Sequence, residues 1–172
     1  PFKGQVGLIK EVLSAMNIKF LEKDMFEADD ILATWSTQAR AAGMEVLICS
    51  GDRDTLQLVN EDVTVLYPIK GVSEMRRFNP DMVVERYAVR PEQYPDLAAL
   101  TGETADNIPG VPGVGPKTAA KWINQFGSLD AILAQSDQIK GKVGENLRAH
   151  LDQVRENRVI NRLLTDVELD LT

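Results

Sequence analysis

The chain has 172 residues, of which 44% are hydrophobic and 26% are charged, and this composition is typical of a folded globular domain. No apolar run reaches the roughly 18 residues that a membrane-spanning helix needs, so no membrane partner is expected. The single cysteine, Cys49, excludes an internal disulfide and favours a cytoplasmic location.

The net charge of −7 excludes a globally basic, nucleic-acid-binding surface, but the charge is unevenly distributed. Residues 1–100 hold 11 basic against 16 acidic side chains, whereas residues 107–165 hold 8 basic against 5 acidic ones. The acidic chemistry therefore belongs to the first part of the chain, and any basic surface to the second.

The first part alternates between helix and strand. Apolar residues at helical spacing predict a helix over 4–16, a short strand at 18–21 and a second helix over 28–42. The apolar run 45–50 predicts a buried parallel strand, and further strands are predicted at 63–66 and 75–78. Residues 1–79 are therefore expected to be α/β, a partial open sheet with flanking helices.

Strand patterns end near Asn79-Pro80, where proline suits the first position of a helix. The rest of the chain is expected to be all-helical, with a helix-hairpin-helix at 107–125. Helices are predicted over 80–88, 91–101, 117–125, 128–135 and 143–164. We place the domain boundary near residue 79, between an α/β part, 1–79, and a helical part, 80–172.

Glycine and proline recur in the stretch before the helix 117–125. A phosphate-binding loop of the GxxxxGK[ST] type is excluded because Pro116 separates Gly115 from Lys117. Two interpretations stay open: a tight turn between helices, or a hairpin that binds a nucleic-acid backbone. In the second, Gly113 and Gly115 let a phosphate approach the main chain, and Lys117 and Lys121 add positive charge on one helix face.

Carboxylates gather at three places in the sequence. Two groups follow predicted strands, and the third directly precedes the glycine-rich stretch. They are Glu27, Asp29 and Asp30, then Asp52 and Asp54, then Glu103 and Asp106. Because alternate residues of an extended chain point to the same side, Asp52 and Asp54 are expected to face one space beyond their strand. Acidic residues in a first turn also favour the helix dipole, so a capping role stays open for the first group.

Clusters made only of carboxylates suit Mg²⁺ or Mn²⁺. Two such ions about 3.5–4 Å apart can polarise a phosphodiester, generate hydroxide and stabilise the leaving oxygen. The pattern predicts metal-assisted phosphodiester hydrolysis. The DxDxT pattern Asp52-Arg53-Asp54-Thr55 also resembles that of phosphoaspartyl phosphatases, but such an enzyme leaves the other carboxylates and the hairpin unexplained.

Three landmarks together resemble the 5′ nuclease family, which comprises bacterial DNA polymerase I 5′-3′ exonuclease domains and flap endonucleases. The resemblance covers essentially the whole chain. The landmarks are Phe26-Glu-Ala-Asp-Asp-Ile31, Ser50-Gly-Asp-Arg-Asp54 with Gln57-Leu58-Val59, and the stretch from Thr101 to Ala119. The implied fold is the PIN/5′ nuclease-like one, and the implied reaction is hydrolysis near a 5′ end or flap by two metal ions.

The resemblance also implies roles for individual residues. Glu27 and Asp29 would ligate a first metal, and Asp30 would support the cluster. Asp52, Asp54 and Asp106 would hold a second metal. Glu103 is a further candidate metal ligand; it stands where polymerase-associated members usually have Asp, so its carboxylate would reach further.

In this family the stretch from Gly110 to Lys117 binds the unbroken duplex strand. The implied DNA contacts are Gly113, Gly115, Lys117, Thr118 and Lys121, and the carbonyls of Val111 and Val114 would hold a K⁺ ion. The implied partners are double-stranded DNA with a 5′ flap, nick or end, and a fused or separate DNA polymerase.

The family's first strand with its metal-binding Asp, a second upstream Asp and a basic helical arch all precede the segment that matches Pro1. We therefore expect an upstream portion, and we expect this chain alone to bind DNA and metal with little or no cleavage. The alternative function is a non-catalytic duplex-DNA-binding fragment or paralogue.

Overall fold

The computed structural model describes residues 4–71 and 73–169. Its first part alternates helices and strands as the hydrophobic pattern predicts. The elements are α1 (Gln5–Ala15), α2 (Ala28–Ala41), β1 (Val46–Cys49), a 3₁₀ helix (Arg53–Leu58), β2 (Val63–Lys70), β3 (Glu74–Phe78) and α3 (Pro80–Tyr87). The mixed α/β class with a small open sheet is confirmed.

The sheet has the order β1-β2-β3, with β1 parallel and β3 antiparallel to β2. Val46 is paired with Val63, and Val65 with Phe78. The expectation that β1 is fully buried is wrong: it is an edge strand of the described sheet, and Leu47 is 60% exposed. Cys49, at the end of the same strand, is also exposed.

The prediction of a strand at 18–21 is also wrong, because these residues are irregular in the structure. A strand needs a hydrogen-bonded neighbour to satisfy its main-chain groups, and no strand within the described residues pairs with this segment. The preceding helix α1 has apolar residues at helical spacing, yet Leu8 is 61% and Val12 is 56% exposed.

The second part is helical apart from a short two-stranded pairing, β4 (Gly102–Glu103) with β5 (Ile108–Pro109). The helices are α4 (Tyr94–Thr101), which a 3₁₀ turn (Pro91–Gln93) precedes, α5 (Pro116–Phe126), α6 (Leu129–Ala134), α7 (Gly141–Ala149) and α8 (Leu151–Ile160), with another 3₁₀ turn at Ser136–Gln138. The single helix predicted over 143–164 is wrong, because the chain breaks at His150 (φ −127°, ψ 22°).

One hydrophobic core runs from the sheet into the helices. It includes Val65 of β2, Leu100 of α4, Ile123 of α5 and Val154 of α8, which are all fully buried. Nothing in this continuous core tests the boundary near residue 79, which stays a prediction. No helix within residues 4–71 and 73–169 is long and apolar enough to cross a membrane.

Candidate active site

The carboxylates from distant parts of the sequence line one cleft of about 800 Å³, which we call the acidic cleft. α2, the 3₁₀ helix, the β4–β5 turn and the end of α8 form its walls. Its seven acidic residues are six of those predicted from the sequence, Glu27, Asp29, Asp30, Asp52, Asp54 and Asp106, and Glu156 of α8, which no sequence motif indicated. The convergence that the sequence suggested is therefore present in the structure, although the catalytic role of each residue stays a prediction.

The start of α2 contributes the first three carboxylates. Glu27 is the N-cap residue in extended conformation (φ −78°, ψ 158°), but its side chain makes no capping bond. Asp29 and Asp30 lie in the first turn. Asp30 Oδ1 accepts a hydrogen bond from the main-chain N–H of Leu164 at 2.9 Å, so Asp30 joins α2 to the segment after α8.

Asp52 and Asp54 share the cleft for a different reason from the one expected. The chain is not extended here, because the 3₁₀ helix begins at Arg53 with Asp52 as its N-cap. Asp52 Oδ1 accepts from the Asp54 N–H at 2.9 Å, and the Thr55 hydroxyl donates to the Asp52 carbonyl at 2.6 Å. A capped turn, not strand alternation, brings the two carboxylates together.

Burial and mutual repulsion shift two carboxyl groups. Burial, followed by the charges of Asp52 and Glu27, raises the pKa of Asp29 to about 6. Burial, followed by the charge of Asp52, raises the pKa of Asp54 to about 7. Such shifts in a cleft mark a site where the protein holds like charges together at a cost in free energy.

The donor set of the acidic cleft consists of carboxylate oxygens, the ligands that Mg²⁺ and Mn²⁺ prefer. Among the described residues, no three or more His, Cys, Asp or Glu side chains form a ready-made metal-holding group. The carboxylates thus share one cleft without converging on a point. The chemistry of the residues fits a hard divalent cation, which would have to draw these side chains together.

Glu103 faces a neighbouring cleft, on the other side of Asp52 and Asp106, which we call the tyrosine cleft. Burial raises the pKa of Glu103, while the nearby Arg53 opposes this shift. The tyrosine cleft is also lined by Tyr67, Tyr87, Tyr94 and Pro116. No role of its own was predicted for Arg53, although it lies within the landmark Ser50–Asp54, and the tyrosines follow no motif, so only the fold brings these residues together.

The glycine-rich stretch forms the connection between α4 and α5, as a helix-hairpin-helix requires. Gly110 packs against the end of α4 so closely that an added Cβ would lie 2.1 Å from the Thr101 carbonyl oxygen. Gly113 has φ +80°, in the left-handed region that favours glycine. By contrast, Gly115 has open space around it and is the N-cap of α5, with no side-chain cap.

The residues predicted to bind K⁺ or DNA at this hairpin differ in their exposure: the valines are buried and the lysines are exposed. Val111 and Val114 are buried, and the Val111 carbonyl accepts from the Val114 N–H at 3.0 Å, closing a tight turn. Lys117 and Lys121 are exposed on α5, and neither has a carboxylate within ion-pair distance in the described chain. The K⁺ site and the DNA contacts stay predictions.

Two family models together match the chain from end to end. The model described as "5'-3' exonuclease, N-terminal resolvase-like domain" matches residues 1–88, and "5'-3' exonuclease, C-terminal SAM fold" matches residues 89–172. The chain therefore belongs to the 5′-3′ exonuclease family, and the resemblance found from the sequence is confirmed.

Within this family the chain is similar to part of bacterial DNA polymerase I. It is 55% identical over 171 residues to DNA polymerase I of Mycobacterium tuberculosis, covering 99% of the chain and 19% of that protein. It is 40% identical to the thermostable DNA polymerase I of Thermus thermophilus, covering 99% of the chain and 20% of that protein. The chain thus spans about a fifth of the length of these curated relatives.

Solved structures show the same fold. The bacteriophage T5 flap endonuclease in a pseudo-enzyme-product complex with DNA and metal ions is 25% identical, with a TM-score of 0.76 over 86% of this chain and 54% of that one. The catalytic core of Rad2 in complex with DNA substrate is 16% identical, with a TM-score of 0.59 over 96% of this chain and 57% of that one. The second likeness shows the fold alone.

Proposed function

We propose that this chain provides the acidic cleft and the duplex-binding hairpin of a structure-specific 5′ nuclease that hydrolyses DNA phosphodiesters near 5′ ends or flaps. The observation that carries the proposal is the meeting of seven carboxylates, six of them predicted from the sequence, in one cleft beside the α4–α5 hairpin. The T5 structure with DNA and metal ions supports both the substrate and the use of metals.

In this proposal the carboxylates of Glu27, Asp29, Asp52, Asp54 and Asp106 hold two Mg²⁺ or Mn²⁺ ions, with Glu103 at the margin. When bound, the ions would polarise the phosphodiester and lower the pKa of an attacking water. The chain's own residues supply negative charge at fixed positions. Asp30 contributes differently, by fixing the segment after α8 to α2.

The hairpin contributes positioning of the duplex. The N-terminus of α5, with Gly115 open and Lys117 and Lys121 exposed, offers N–H groups and positive charge to a backbone phosphate. Contacts of this kind carry no base information, so recognition rests on DNA shape. The relatives named DNA polymerase I support a fused polymerase as a partner, and a cytoplasmic location belongs to the same proposal.

The test uses the full-length protein that contains this chain and a 5′-flap duplex with a labelled 5′ end. Cleavage should require Mg²⁺ or Mn²⁺ and should fall by at least about 100-fold in Asp54→Asn. Asp81→Asn, which removes an exposed carboxylate in the first turn of α3, is the matched control and should cleave normally. Equal cleavage by the wild type in EDTA, or by Asp54→Asn in Mg²⁺, contradicts the proposal.

The second candidate is a duplex-binding module without catalysis. It is favoured by one observation, that the described carboxylates form no ready-made group of three ligands. In that case duplex affinity should be the same in Mg²⁺ and in EDTA, and Asp54→Asn should leave it unchanged. Cleavage that depends on both the metal and Asp54 would eliminate this candidate.

A further inference from the structure

The segment after α8, residues 161–167, lies along one wall of the acidic cleft, where Asn161, Leu163 and Leu164 line it. Both Asp30 and Thr34 of α2 are hydrogen-bonded to this segment. The Thr34 hydroxyl donates to the Leu164 carbonyl at 3.2 Å and accepts from the Val167 N–H at 3.2 Å. Residues more than 100 positions apart in sequence therefore form this wall together.

Gln57 makes the corresponding connection from the 3₁₀ helix. Its Nε2 donates to the Asp54 carbonyl oxygen and to the Asn161 carbonyl oxygen, both at 2.9 Å. Its Oε1 accepts from the Leu163 N–H at 3.1 Å. Both donors and one acceptor lone pair of a single half-buried amide are therefore used between the main chain of Asp54 and the segment after α8.

This connection matters because a 3₁₀ helix has weak internal hydrogen bonds and is rarely long. Asp52 and Asp54 are close enough for their charges to repel each other. Thr55 and Leu56 are buried and fix one side of this helix in the core, but they do not oppose a movement of the Asp54 main chain away from the cleft under this repulsion. The amide of Gln57 opposes this movement, and it carries no charge that could compete with a cation.

We propose that Gln57 is a positioning residue, which fixes the main chain of Asp54 against residues 161–163 and thereby directs the Asp54 carboxylate into the acidic cleft. This inference rests on the proposed function, because it assigns Asp54 a cation to bind. Gln57 itself does not touch the cation. Its removal should therefore act on cation affinity through geometry alone.

The experiment measures the dissociation constant for Mn²⁺ and the thermal midpoint of the full-length protein that contains this chain. Gln57→Met keeps the side-chain length but removes all three bonds, and we expect it to weaken Mn²⁺ binding by about 10-fold or more, as is typical when a group that orients a ligand is lost. Asn60→Ala is the matched control. It removes an amide just after the same 3₁₀ helix that, within the described residues, bonds the Leu58 carbonyl and the Asp62 N–H but no group of the segment after α8.

Gln57→Glu separates geometry from charge. It keeps an acceptor for the Leu163 N–H but faces two carbonyl oxygens with a carboxylate, and it adds a negative charge beside the cleft. Charge alone would tighten Mn²⁺ binding, whereas lost positioning weakens it. Weaker binding by both Gln57 variants, with Asn60→Ala unchanged, supports the inference.

Two results would overturn it. If both Gln57 variants lower the thermal midpoint but bind Mn²⁺ as the wild type does, or if Gln57→Glu binds it more tightly, the role of Gln57 is structural only. If instead the wild type fails to bind Mn²⁺, or Asp54→Asn binds it equally well, the proposed function itself fails, and the inference fails with it. The wild-type and Asp54→Asn measurements tell these two failures apart.

Discussion

Asp54 shows at the scale of one residue how a candidate active site lowers the stability of the fold that builds it. The carboxyl is partly buried and is surrounded by the charges of Asp52, Glu103 and Asp106, and its pKa is raised to about 7. The folded protein therefore binds this proton more tightly than the unfolded chain does. Stability from the protonated form is complete below the ordinary pKa of 3.8 and is lost as the pH rises through about 7.

Asp54→Asn should consequently stabilise the metal-free protein in a pH-dependent way. At pH 4 both side chains are neutral in the fold and the variants should differ little. At pH 8 only the wild type has a charge there, so we expect Asp54→Asn to be more stable by about 1–2 kcal/mol after solvent screening. Urea unfolding in EDTA at the two pH values measures this. A difference that is equal at both pH values would show that Asp54 is not the titrating group.

The position of Asp54 was predictable from sequence, but the reason for it was not. The acidic residues after β1 could be assigned to the carboxyl end of a sheet strand, whereas the strand predicted before α2 is irregular in the structure. The capped 3₁₀ turn at Asp52 could not be predicted from hydrophobic periodicity. Gln57 lies in a landmark motif, but its role could not be predicted, since its partners Asn161 and Leu163 are 104 and 106 residues away.

At the scale of elements, the α4–α5 hairpin contains glycines that serve different purposes. Gly110 is required by packing, because a Cβ there would lie 2.1 Å from the Thr101 carbonyl oxygen and 2.8 Å from the Gly102 nitrogen. These are main-chain atoms, which cannot move without disturbing the end of α4. Gly115 has φ −95° and nothing within 4 Å of an added Cβ.

Alanine substitutions should separate packing from phosphate binding in this hairpin. Gly110→Ala should destabilise the protein by more than about 2 kcal/mol, because it overpacks against rigid main chain. Gly115→Ala should keep the stability within about 1 kcal/mol but weaken duplex binding, since its methyl group occupies the space left for a phosphate. Unfolding curves and duplex titrations check both. Normal duplex binding by Gly115→Ala would remove this residue from the DNA contact.

The helix after the hairpin allows a test of charge. Replacing Lys117 and Lys121 together by alanine should weaken duplex binding and lower the slope of log affinity against log salt by about 1 per lysine, because each phosphate contact releases counterions. Mn²⁺ affinity should not change. Lys70→Ala, at the end of β2, is the control. An unchanged salt slope in the double variant would exclude these lysines from backbone binding.

Helices with one side on the core, such as α2 and α5, were predictable to within a few residues, whereas isolated strands were not. The run at 18–21 has the composition of a strand but lacks a partner among the described residues, and pairing is a tertiary property. Likewise, periodicity carries through the break between α7 and α8. At that break the His150 ring Nδ1 lies 2.7 Å from the Asn146 carbonyl oxygen, a contact that the sequence pattern does not indicate.

At the scale of the whole molecule, α8 connects the hairpin with the acidic cleft. Near its start, Gln153 Nε2 donates to the Pro109 carbonyl at 2.8 Å. Further along the helix, Asn157 Nδ2 donates to the Pro109 and Ala99 carbonyls at 2.8 and 3.1 Å. At its end, the Asn161 carbonyl oxygen accepts a hydrogen bond from Gln57 Nε2. The segment that leads into the hairpin and the 3₁₀ helix that contains Asp54 are therefore both hydrogen-bonded to α8 or its end.

The ion pair between Asp96 of α4 and Arg158 of α8 holds α8 against α4. Asp96 is 7% exposed and also accepts from the Leu129 N–H at the start of α6 at 3.0 Å, so three helices meet at one carboxylate. Arg158→Met should destabilise the protein by about 2–3 kcal/mol, because it leaves a buried charge without its cation.

Arg155→Met provides the comparison, since Arg155 lies one turn earlier on α8 in an exposed pair with Asp152, and it should cost less than about 1 kcal/mol. Denaturant unfolding measures both. If α8 positions both the hairpin and the acidic cleft, Arg158→Met should also weaken duplex binding and Mn²⁺ binding in conditions where the variant is fully folded. Loss of stability without any loss of binding would show that the two sites are held independently of α8.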